Sequence, residues 1–389
     1  MKKDSKNQSQ SKSKPQGQSK SKPQSLKRQS IQPGDRWTIG MDLGDKNTRY
    51  CVLNEQGEVN LEASVATTPA AIAKLFARLP RCRIGLEVGG HSPWISRLLE
   101  ELGHEVIVAN ARRVHLISKS SKKDDRIDAR TLARLVRMDP DLLSPIRHRS
   151  KEAQMDLLVI RLRAQLVEVR TGVINSVRGS AKAMGARVPA CDADHMDGTR
   201  LAGLPMALQA RLKPMLEQVE SLTKQIHDYD QQIQQIAGSK YPETARLTQV
   251  SGVGTLIALT YVLTIDDKQR FGKSRDVGCY VGLRPKRSES GESQPQLPIT
   301  KEGDGYLRVL LVQGAHHILS RRGPDTDLKR WGSKLAERGG KNAKKRAVVA
   351  VARRLAVLLH RLWMSGETYE PLRNSRAAAA RQSATGRAA

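Results

Sequence analysis

The chain has 389 residues, enough for two or three domains, and its 67 lysines and arginines outnumber its 39 acidic residues, giving a formal charge of +28. Such an excess is typical of proteins that bind a polyanion, because phosphate contacts supply most non-specific affinity for nucleic acid. No stretch reaches the roughly 18 apolar residues of a membrane span, so we expect a cytoplasmic protein with no membrane partner.

Residues 1–34 are rich in lysine, serine, glutamine and proline and nearly free of apolar side chains. This composition predicts a disordered basic tail, and it lacks the apolar segment of a secretory signal. The tail carries nine basic residues against Asp4, a charge of +8, which leaves +20 of the +28 in the rest of the chain. The basic character therefore belongs to the folded part as well.

Residues 35–150 show an α/β pattern. Three strands, a helix, a strand and a helix follow one another, which is the order of an RNase H-like fold. The predicted strands are Thr38–Leu43, Arg49–Leu53, Glu58–Ala63, Arg83–Val88 and Glu105–Ala109, and the predicted helices are Pro69–Leu79, Ser92–Leu102 and Asp124–Arg137.

Four acids stand out in this region. Asp42 and Glu87 each end an apolar run next to glycine, and Asp125 and Asp128 are three residues apart at the start of a helical pattern, so one helix face can present both. Converging carboxylates of this kind bind the divalent ions that assist phosphodiester chemistry, and magnesium prefers such oxygen ligands. The alternative is that these acids are helix caps and solvated charges.

Residues 151–240 have a helical character. A helix is predicted from Glu152 to about Met184, with Leu158, Leu162, Val169, Val173 and Val177 on one stripe, and residues 185–203 are predicted to form a loop. A coiled-coil seam with alternating spacings of three and four residues then runs through Leu212, Met215, Val219, Leu222, Ile226, Tyr229, Ile233 and Ile236. This seam predicts either an intramolecular helical hairpin or a homo-oligomer, a dimer or tetramer.

Residues 241–372 are predicted to be mainly helical, and residues 373–389 to be a second disordered tail. Residues 247–258 fit a helix-hairpin-helix, in which Gly252 and Gly254 allow a tight turn whose N–H groups could hold a nucleic-acid phosphate. The same turn could be purely structural. A polar loop, residues 282–297, follows, and Lys344–Trp363 is predicted to be a helix.

Together these residues resemble the DEDD-type transposases of insertion sequences, a family of bridge-RNA-guided recombinases. The resemblance covers Trp37 to about Pro371. It is carried in the first domain by Ile39-Gly-Met-Asp42, Gly85-Leu-Glu87, Leu98-Leu-Glu-Glu-Leu-Gly-His104 and Lys123-x-Asp125-x-x-Asp128-Ala129. In the C-terminal domain it is carried by Gly252-Val-Gly254, Gly282-Leu-x-Pro285, Ser290-Gly291, Lys301-x-Gly303 and Tyr306-Leu-Arg308.

The resemblance implies a RuvC-like domain whose acids Asp42, Glu87, Asp125 and Asp128 bind one or two magnesium ions. It also implies a serine nucleophile just before a glycine in the polar loop, which here is Ser290, with Ser288 as the alternative. A noncoding bridge RNA would pair with donor and target DNA, and the acids and the serine would form a composite site between protomers. The loop is surrounded by basic residues that could hold phosphate: Arg284, Lys286, Arg287, Lys301 and Arg308.

We therefore expect a magnesium-dependent, RNA-guided DNA recombinase that inserts its own mobile element through a covalent phosphoserine intermediate. Two other hypotheses stay open. One is a RuvC-like nuclease or resolvase in which metal-activated water attacks, and the other is a nucleic-acid-binding scaffold without chemistry.

Overall fold

The computed structural model describes residues 37–110, 125–288, 290, 293, 295 and 297–376, and for residues 125–127 it describes the backbone alone. The basic tail expected at residues 1–34 lies outside these residues. The chain forms two compact units that divide between His148 and Arg149. Within the described ranges, no helix is both long and apolar enough to cross a membrane.

The first unit is built on a five-stranded mixed sheet in the order β3-β2-β1-β4-β5. Strand β1 pairs antiparallel with β2 and parallel with β4, β2 pairs antiparallel with β3, and β4 pairs parallel with β5. The strands are β1 Thr38–Leu43, β2 Asn47–Leu53, β3 Val59–Ala66, β4 Arg83–Glu87 and β5 Glu105–Ala109, and the helices are α1 Pro69–Phe76, α2 Ser92–Glu101 and α3 Asp125–Met138. The prediction of an N-terminal α/β region is confirmed.

The two faces of this sheet are covered differently, as the alternation of side chains along a strand requires. Ile39 and Met41 of β1 join a buried cluster with residues of α1 and α2, including Ile72 and Leu99. On the opposite face, Cys51 and Leu53 of β2 pack with Ala129 and Ala133 of α3. The sheet therefore lies between α3 on one side and α1 and α2 on the other.

Two glycines allow α3 to approach the centre of the sheet closely. Gly40 of β1 and Gly85 of β4 are directly opposite each other in the strand register. A Cβ atom at Gly40 would lie 2.1 Å from the carbonyl oxygen of Ala129, and one at Gly85 would lie 2.2 Å from a methyl carbon of Val136. Any larger residue at either position would push α3 off the sheet.

The second unit is helical in all its regular elements that the structure describes. Two long helices come first, α4 Lys151–Ala183 and α5 Met206–Lys240. Shorter ones follow, namely α6 Thr244–Leu247, α7 Thr255–Ile265, α8 Val277–Tyr280, α9 Gly305–Leu319, α10 Asp327–Glu337 and α11 Ala343–Ser365, together with single turns of 3-10 helix. The prediction of a helical C-terminal region is confirmed.

Helices α4 and α5 form an antiparallel hairpin held by polar contacts as well as apolar ones. Asp156 near the start of α4 contacts Lys240 at the end of α5, with an Nζ–Oδ1 distance of 3.0 Å. Further along, Arg163 binds Asp230 at 2.8 Å. Arg170, which is 8% exposed, donates to Thr223 at 3.0 Å. Most of the predicted seam is buried within this single chain, including Val219, Leu222, Ile226 and Ile233.

The inner face of α4 differs from the predicted stripe. Leu158, Leu162 and Val169 are exposed. The buried face instead runs through Ala153, Asp156, Leu157, Ile160, Arg170, Ile174, Val177 and Ala181. The predicted stripe is right at Val177 and wrong at the three exposed positions, because Asp156 and Arg170 interrupt the apolar pattern of the true inner face. Lys240 of α5 pairs with Asp156, and Asp194, between the two helices, pairs with Arg170 at 2.6 Å.

The core of the C-terminal half surrounds α11, whose Val351, Leu355 and Leu359 are fully buried. Tyr261 of α7, also fully buried, donates its hydroxyl to the carbonyl oxygen of Ala356 at 2.6 Å. These contacts join α7, α9, α10 and α11 into one cluster.

The predicted hairpin turn lies in close backbone contact with α9. Gly252 has a φ of +83°, and a Cβ there would lie 2.7 Å from the carbonyl oxygen of Gly314 on α9. A Cβ at Gly314 would lie 2.8 Å from the carbonyl oxygen of Gly252. Packing thus accounts for the glycine at position 252. Gly254 is exposed at the start of α7, and its contact with phosphate stays a prediction.

Gly40→Ala should lower the free energy of unfolding of the first unit by about 1–3 kcal/mol, because the added methyl group overlaps the backbone of α3. Equilibrium unfolding in urea, followed by circular dichroism, measures the change. Gly90→Ala is the matched control, since a Cβ at Gly90 meets nothing within 4 Å. Equal stability of the two variants would contradict the close contact of α3 with β1.

Candidate active site

Asp42 and Glu87 lie at the ends of two neighbouring parallel strands. The register pairs Met41 with Leu86, and each acid is the next residue along its strand. Both acids are half-buried, and each interacts with other groups in the protein. Because side chains two residues apart point to the same face of a strand, these acids lie on the Gly40–Gly85 face that α3 covers.

Helix α3 places the other two acids near this end of the sheet. Its last turn contacts the far end of β2, where Arg137 donates to the carbonyl oxygen of Glu55. The helix therefore runs opposite to β1, and its first turn lies toward the carboxyl ends of β1 and β4. Asp128 is exposed and precedes Ala129, which packs on Gly40, whereas the side chain of Asp125 lies outside the described residues.

The donor chemistry of this edge fits a divalent metal ion, because carboxylate oxygens are the ligands that magnesium and similar hard cations prefer. Among the side chains that the structure describes, no three His, Cys, Asp or Glu groups are gathered closely enough to share one ion. Gathering of Asp42, Glu87, Asp125 and Asp128 around a metal stays a prediction.

A histidine at the same edge was not singled out from the sequence. The Nε2 atom of His91 lies 3.4 Å from Oδ1 of Asp45. Trp94 donates its indole N–H to Nδ1 of His91 at 3.2 Å. Because Nδ1 accepts this hydrogen bond, Nε2 carries the proton and donates toward Asp45. The available signal was the pair Gly89-Gly90 between the end of β4 and the helix start at Ser92-Pro93, which predicts that residue 91 lies in the turn after the strand.

Ser290 lies at the tip of a hairpin that projects from the helical unit. Its two arms are linked by a hydrogen bond from Thr300 N to Arg284 O at 2.9 Å and another from Lys286 N to Pro298 O at 2.9 Å. At the tip, Ser290 and Ser293 exchange both backbone hydrogen bonds, at 3.4 and 3.1 Å. Ser290, Ser293 and the alternative nucleophile Ser288 are all exposed.

The base of this hairpin is closed by two interlocked glycines. A Cβ at Gly282 would lie 2.2 Å from the carbonyl oxygen of Glu302, and one at Gly303 would lie 1.9 Å from that of Tyr280. Both glycines have positive φ values, near +70°. The spacing of these two glycines is therefore a structural requirement of the loop.

Arg308 fastens the same base. Its Nη1 atom donates to the carbonyl oxygens of Val281 at 2.9 Å and Glu302 at 2.8 Å. The remaining predicted phosphate contacts are all exposed on the loop: Arg284, Lys286, Arg287 and Lys301. Arg308 thus has a bracing function that the sequence did not indicate, and the phosphate contacts of all five residues stay predictions.

Two family models match the chain. Residues 39–184 match the DEDD-type transposase model of IS110, which spans the sheet, α3 and α4. Residues 244–330 match the transposase model of the IS116/IS110/IS902 family, which includes the glycine-closed hairpin and Ser290. A DEDD-type transposase domain indicates dependence on a divalent metal ion.

Curated relatives share most of their length with this chain. The transposase for insertion sequence element IS1111A of Coxiella burnetii is 27% identical over 88% of this chain and 93% of its own. A probable family 20 transposase of Pseudomonas aeruginosa is 28% identical over 78% of this chain and 90% of its own. The transposase for element IS1328 of Yersinia enterocolitica is 26% identical over 73% of this chain and 84% of its own.

Arg308→Lys should loosen the hairpin, because lysine keeps the charge but lacks the planar group that reaches both carbonyl oxygens. Loss of these charge-assisted hydrogen bonds should cost about 1–3 kcal/mol. Limited proteolysis within residues 284–300, together with urea unfolding, measures the effect. Arg284→Lys in the exposed arm is the control, and equal proteolysis of both variants would contradict the bracing contact.

Proposed function

The chain belongs to the DEDD-type transposases of the IS110/IS116/IS902 family, and we propose that this DNA transposase cuts and rejoins strands through a covalent bond to Ser290. The observation that carries the proposal is the position of this serine. It is exposed, hydrogen-bonded through its backbone to Ser293 and held on a hairpin whose base two interlocked glycines close. A hydroxyl so presented can meet a DNA backbone without deforming the helical core.

The reaction balances without a nucleotide cofactor. The Ser290 hydroxyl oxygen forms a bond to phosphorus, its proton passes to a base, and the bond from phosphorus to one deoxyribose oxygen breaks. That oxygen takes up a proton and leaves as a free hydroxyl. A deoxyribose hydroxyl of another strand then attacks the same phosphorus and releases the serine, so one phosphodiester bond replaces another.

The acids of the first unit form the other half of this proposed site. Magnesium, as one or two ions held by Asp42, Glu87, Asp125 and Asp128, would neutralise charge on the reacting phosphate. The strand order and directions of the sheet support an RNase H-like, RuvC-like assignment. In that assignment the ends of the two central parallel strands carry the first two acids.

The proposed partners are donor DNA, target DNA and a noncoding bridge RNA that pairs with both. The formal charge of +28 supports binding to polyanionic partners such as these nucleic acids. An oligomer, a dimer or tetramer, would let the serine of one protomer meet the acids of another. On α4, the outward stripe of Met155, Leu158, Leu162 and Val169 supports a coiled-coil contact between protomers, because it stays exposed when α5 is packed.

Ser290→Ala should abolish both strand exchange and the covalent protein–DNA adduct, because no other atom replaces the attacking oxygen. The adduct is measured as a slower band on a denaturing gel with labelled donor and target DNA. Ser288→Ala, a change of the same size two residues away, should keep most of the adduct. Full cleavage by Ser290→Ala would favour water as the nucleophile instead.

Asp42→Asn distinguishes the enzyme hypothesis from the scaffold hypothesis in the same assay. It should abolish the adduct and leave DNA binding intact, whereas a scaffold without chemistry would be unaffected. Mixing Asp42→Asn protein with Ser290→Ala protein should restore adduct formation if the site is shared between protomers. No recovery would argue for a site within one chain.

A specific noncoding RNA should co-purify with the full chain from cells that carry its element. Sequencing the bound RNA tests this expectation, because a guide would be one enriched transcript with segments complementary to donor and target. The full chain expressed without its element is the control. Recovery of only a random sample of cellular RNA would contradict RNA guidance.

A further inference from the structure

A cavity of about 750 Å³ lies in the second unit, away from the Ser290 hairpin in sequence. Its walls are α10, α11 and the segment 367–375 that follows α11. Protein pockets for small ligands have volumes of about 300–1,000 Å³, so this space is large enough for one nucleotide.

Asp327, at the first position of α10, holds the third wall in place. Its carboxylate accepts hydrogen bonds from the backbone N–H groups of Asn374 at 2.7 Å and Ser375 at 3.2 Å, and its own N–H donates to the carbonyl oxygen of Pro371 at 2.8 Å. The first residues of the segment expected to be disordered are thus tied to α10. The cavity is therefore part of the folded structure, because hydrogen bonds to Asp327 hold the segment 367–375 against α10.

The lining combines an aromatic ring with a guanidinium group. The central carbon of the Arg354 guanidinium lies 3.8 Å from the centre of the Trp331 ring, which is the geometry of a cation–π contact. Arg354 is exposed and lines the cavity together with Trp331. Tyr369 adds a second half-buried ring to the same walls.

The charge of Arg354 has no anionic partner among the side chains that the structure describes. Loss of water around the guanidinium lowers the pKa of Arg354, and no carboxylate opposes this effect. Two other lining arginines are already paired, since Arg330 binds Asp325 at 2.6 Å and Arg373 binds Glu367 at 2.6 Å. Arg354, Lys334 and Arg361 are therefore the cationic lining groups left for a ligand.

We propose that this cavity binds one unpaired nucleotide of the nucleic-acid partner, whose base extends the stack of Trp331 and Arg354 and whose phosphate lies near Lys334. Bases stack on aromatic side chains and on guanidinium planes in proteins that recognise unpaired strands. Glu337 and Glu370 also line the cavity and would repel a second phosphate there, which favours a base as the group that enters.

The surface next to the cavity suits the strand that would carry this nucleotide. The turn between α10 and α11 and the first turn of α11 expose basic residues: Arg338, Lys341, Lys344, Lys345 and Arg346. These basic residues would neutralise the phosphates of a nucleic-acid strand that lies along this turn and places one base in the pocket. The inference rests on the nucleic-acid binding of the proposed function, and not on its serine chemistry.

The test measures binding of fluorescein-labelled oligonucleotides to the full chain by anisotropy, with single-stranded RNA, single-stranded DNA and a blunt DNA duplex of one sequence. Arg354→Gln should weaken binding of at least one single strand about tenfold, the size expected for loss of one stacked base. Arg322→Gln, an exposed arginine before α10, is the control for loss of one charge. Adduct formation on a denaturing gel reports the serine chemistry separately, so failure of that chemistry is distinguishable from failure of the pocket.

If Arg354→Gln weakens binding of RNA alone, the nucleotide in the pocket belongs to the RNA partner. If it weakens binding of single-stranded DNA, the nucleotide belongs to displaced DNA. Either outcome supports the pocket. The proposal is overturned if Arg354→Gln weakens binding of single strands no more than Arg322→Gln does. It is also overturned if Arg354→Gln weakens binding of the duplex as much as binding of the single strands.

Trp331→Phe should keep most of the affinity and Trp331→Leu should lose it, because only phenylalanine retains a stacking ring. Thermal unfolding checks that each variant is folded. The exposed Arg354→Gln variant decides the question if Trp331→Leu fails to fold.

Discussion

The close contact of α3 with the Gly40–Gly85 pair is the constraint on which the acidic half of the proposed site depends. Each glycine precedes an acid by two residues, so the glycine and the acid share one face of the sheet. Small residues on α3, Ala129 and Ala133, complete the contact from the helix side. The same packing that anchors α3 thereby brings its first turn, with Asp125 and Asp128, toward the ends of the central strands.

The serine half depends on backbone packing of a similar kind in a different unit. Gly282 and Gly303 interlock, and Arg308 binds two carbonyl oxygens at the base of the hairpin. In both units, glycines allow one backbone to approach another, as at Gly40, Gly252, Gly282 and Gly303. The groups available for chemistry are the residues that these contacts present, namely the acids and the exposed serine.

Charge is distributed in this protein according to burial. On α4, Asp156 and Arg170 are buried and each pairs with an opposite charge, Lys240 and Asp194, whereas the basic residues of the Ser290 loop and of the α10–α11 turn are exposed. An unpaired charge in the core loses its hydration energy without gaining a partner, so buried charges are paired. The surplus that makes the chain basic is therefore left at the surface, where phosphate groups can reach it.

The sequence by itself determined the order of strands and helices in the first unit, the apolar seam on α5 and the family motifs, because hydrophobic period and glycine position are local properties. Tertiary structure alone decided that the seam is buried against α4, because the true inner face of α4 contains two charges whose partners, Lys240 and Asp194, lie far away in the chain or outside the helix. It also decided that Gly252 packs on Gly314, that Arg308 braces a hairpin and that Arg354 stacks on Trp331. Each of these contacts joins residues far apart in the chain, and no local pattern records such a distance.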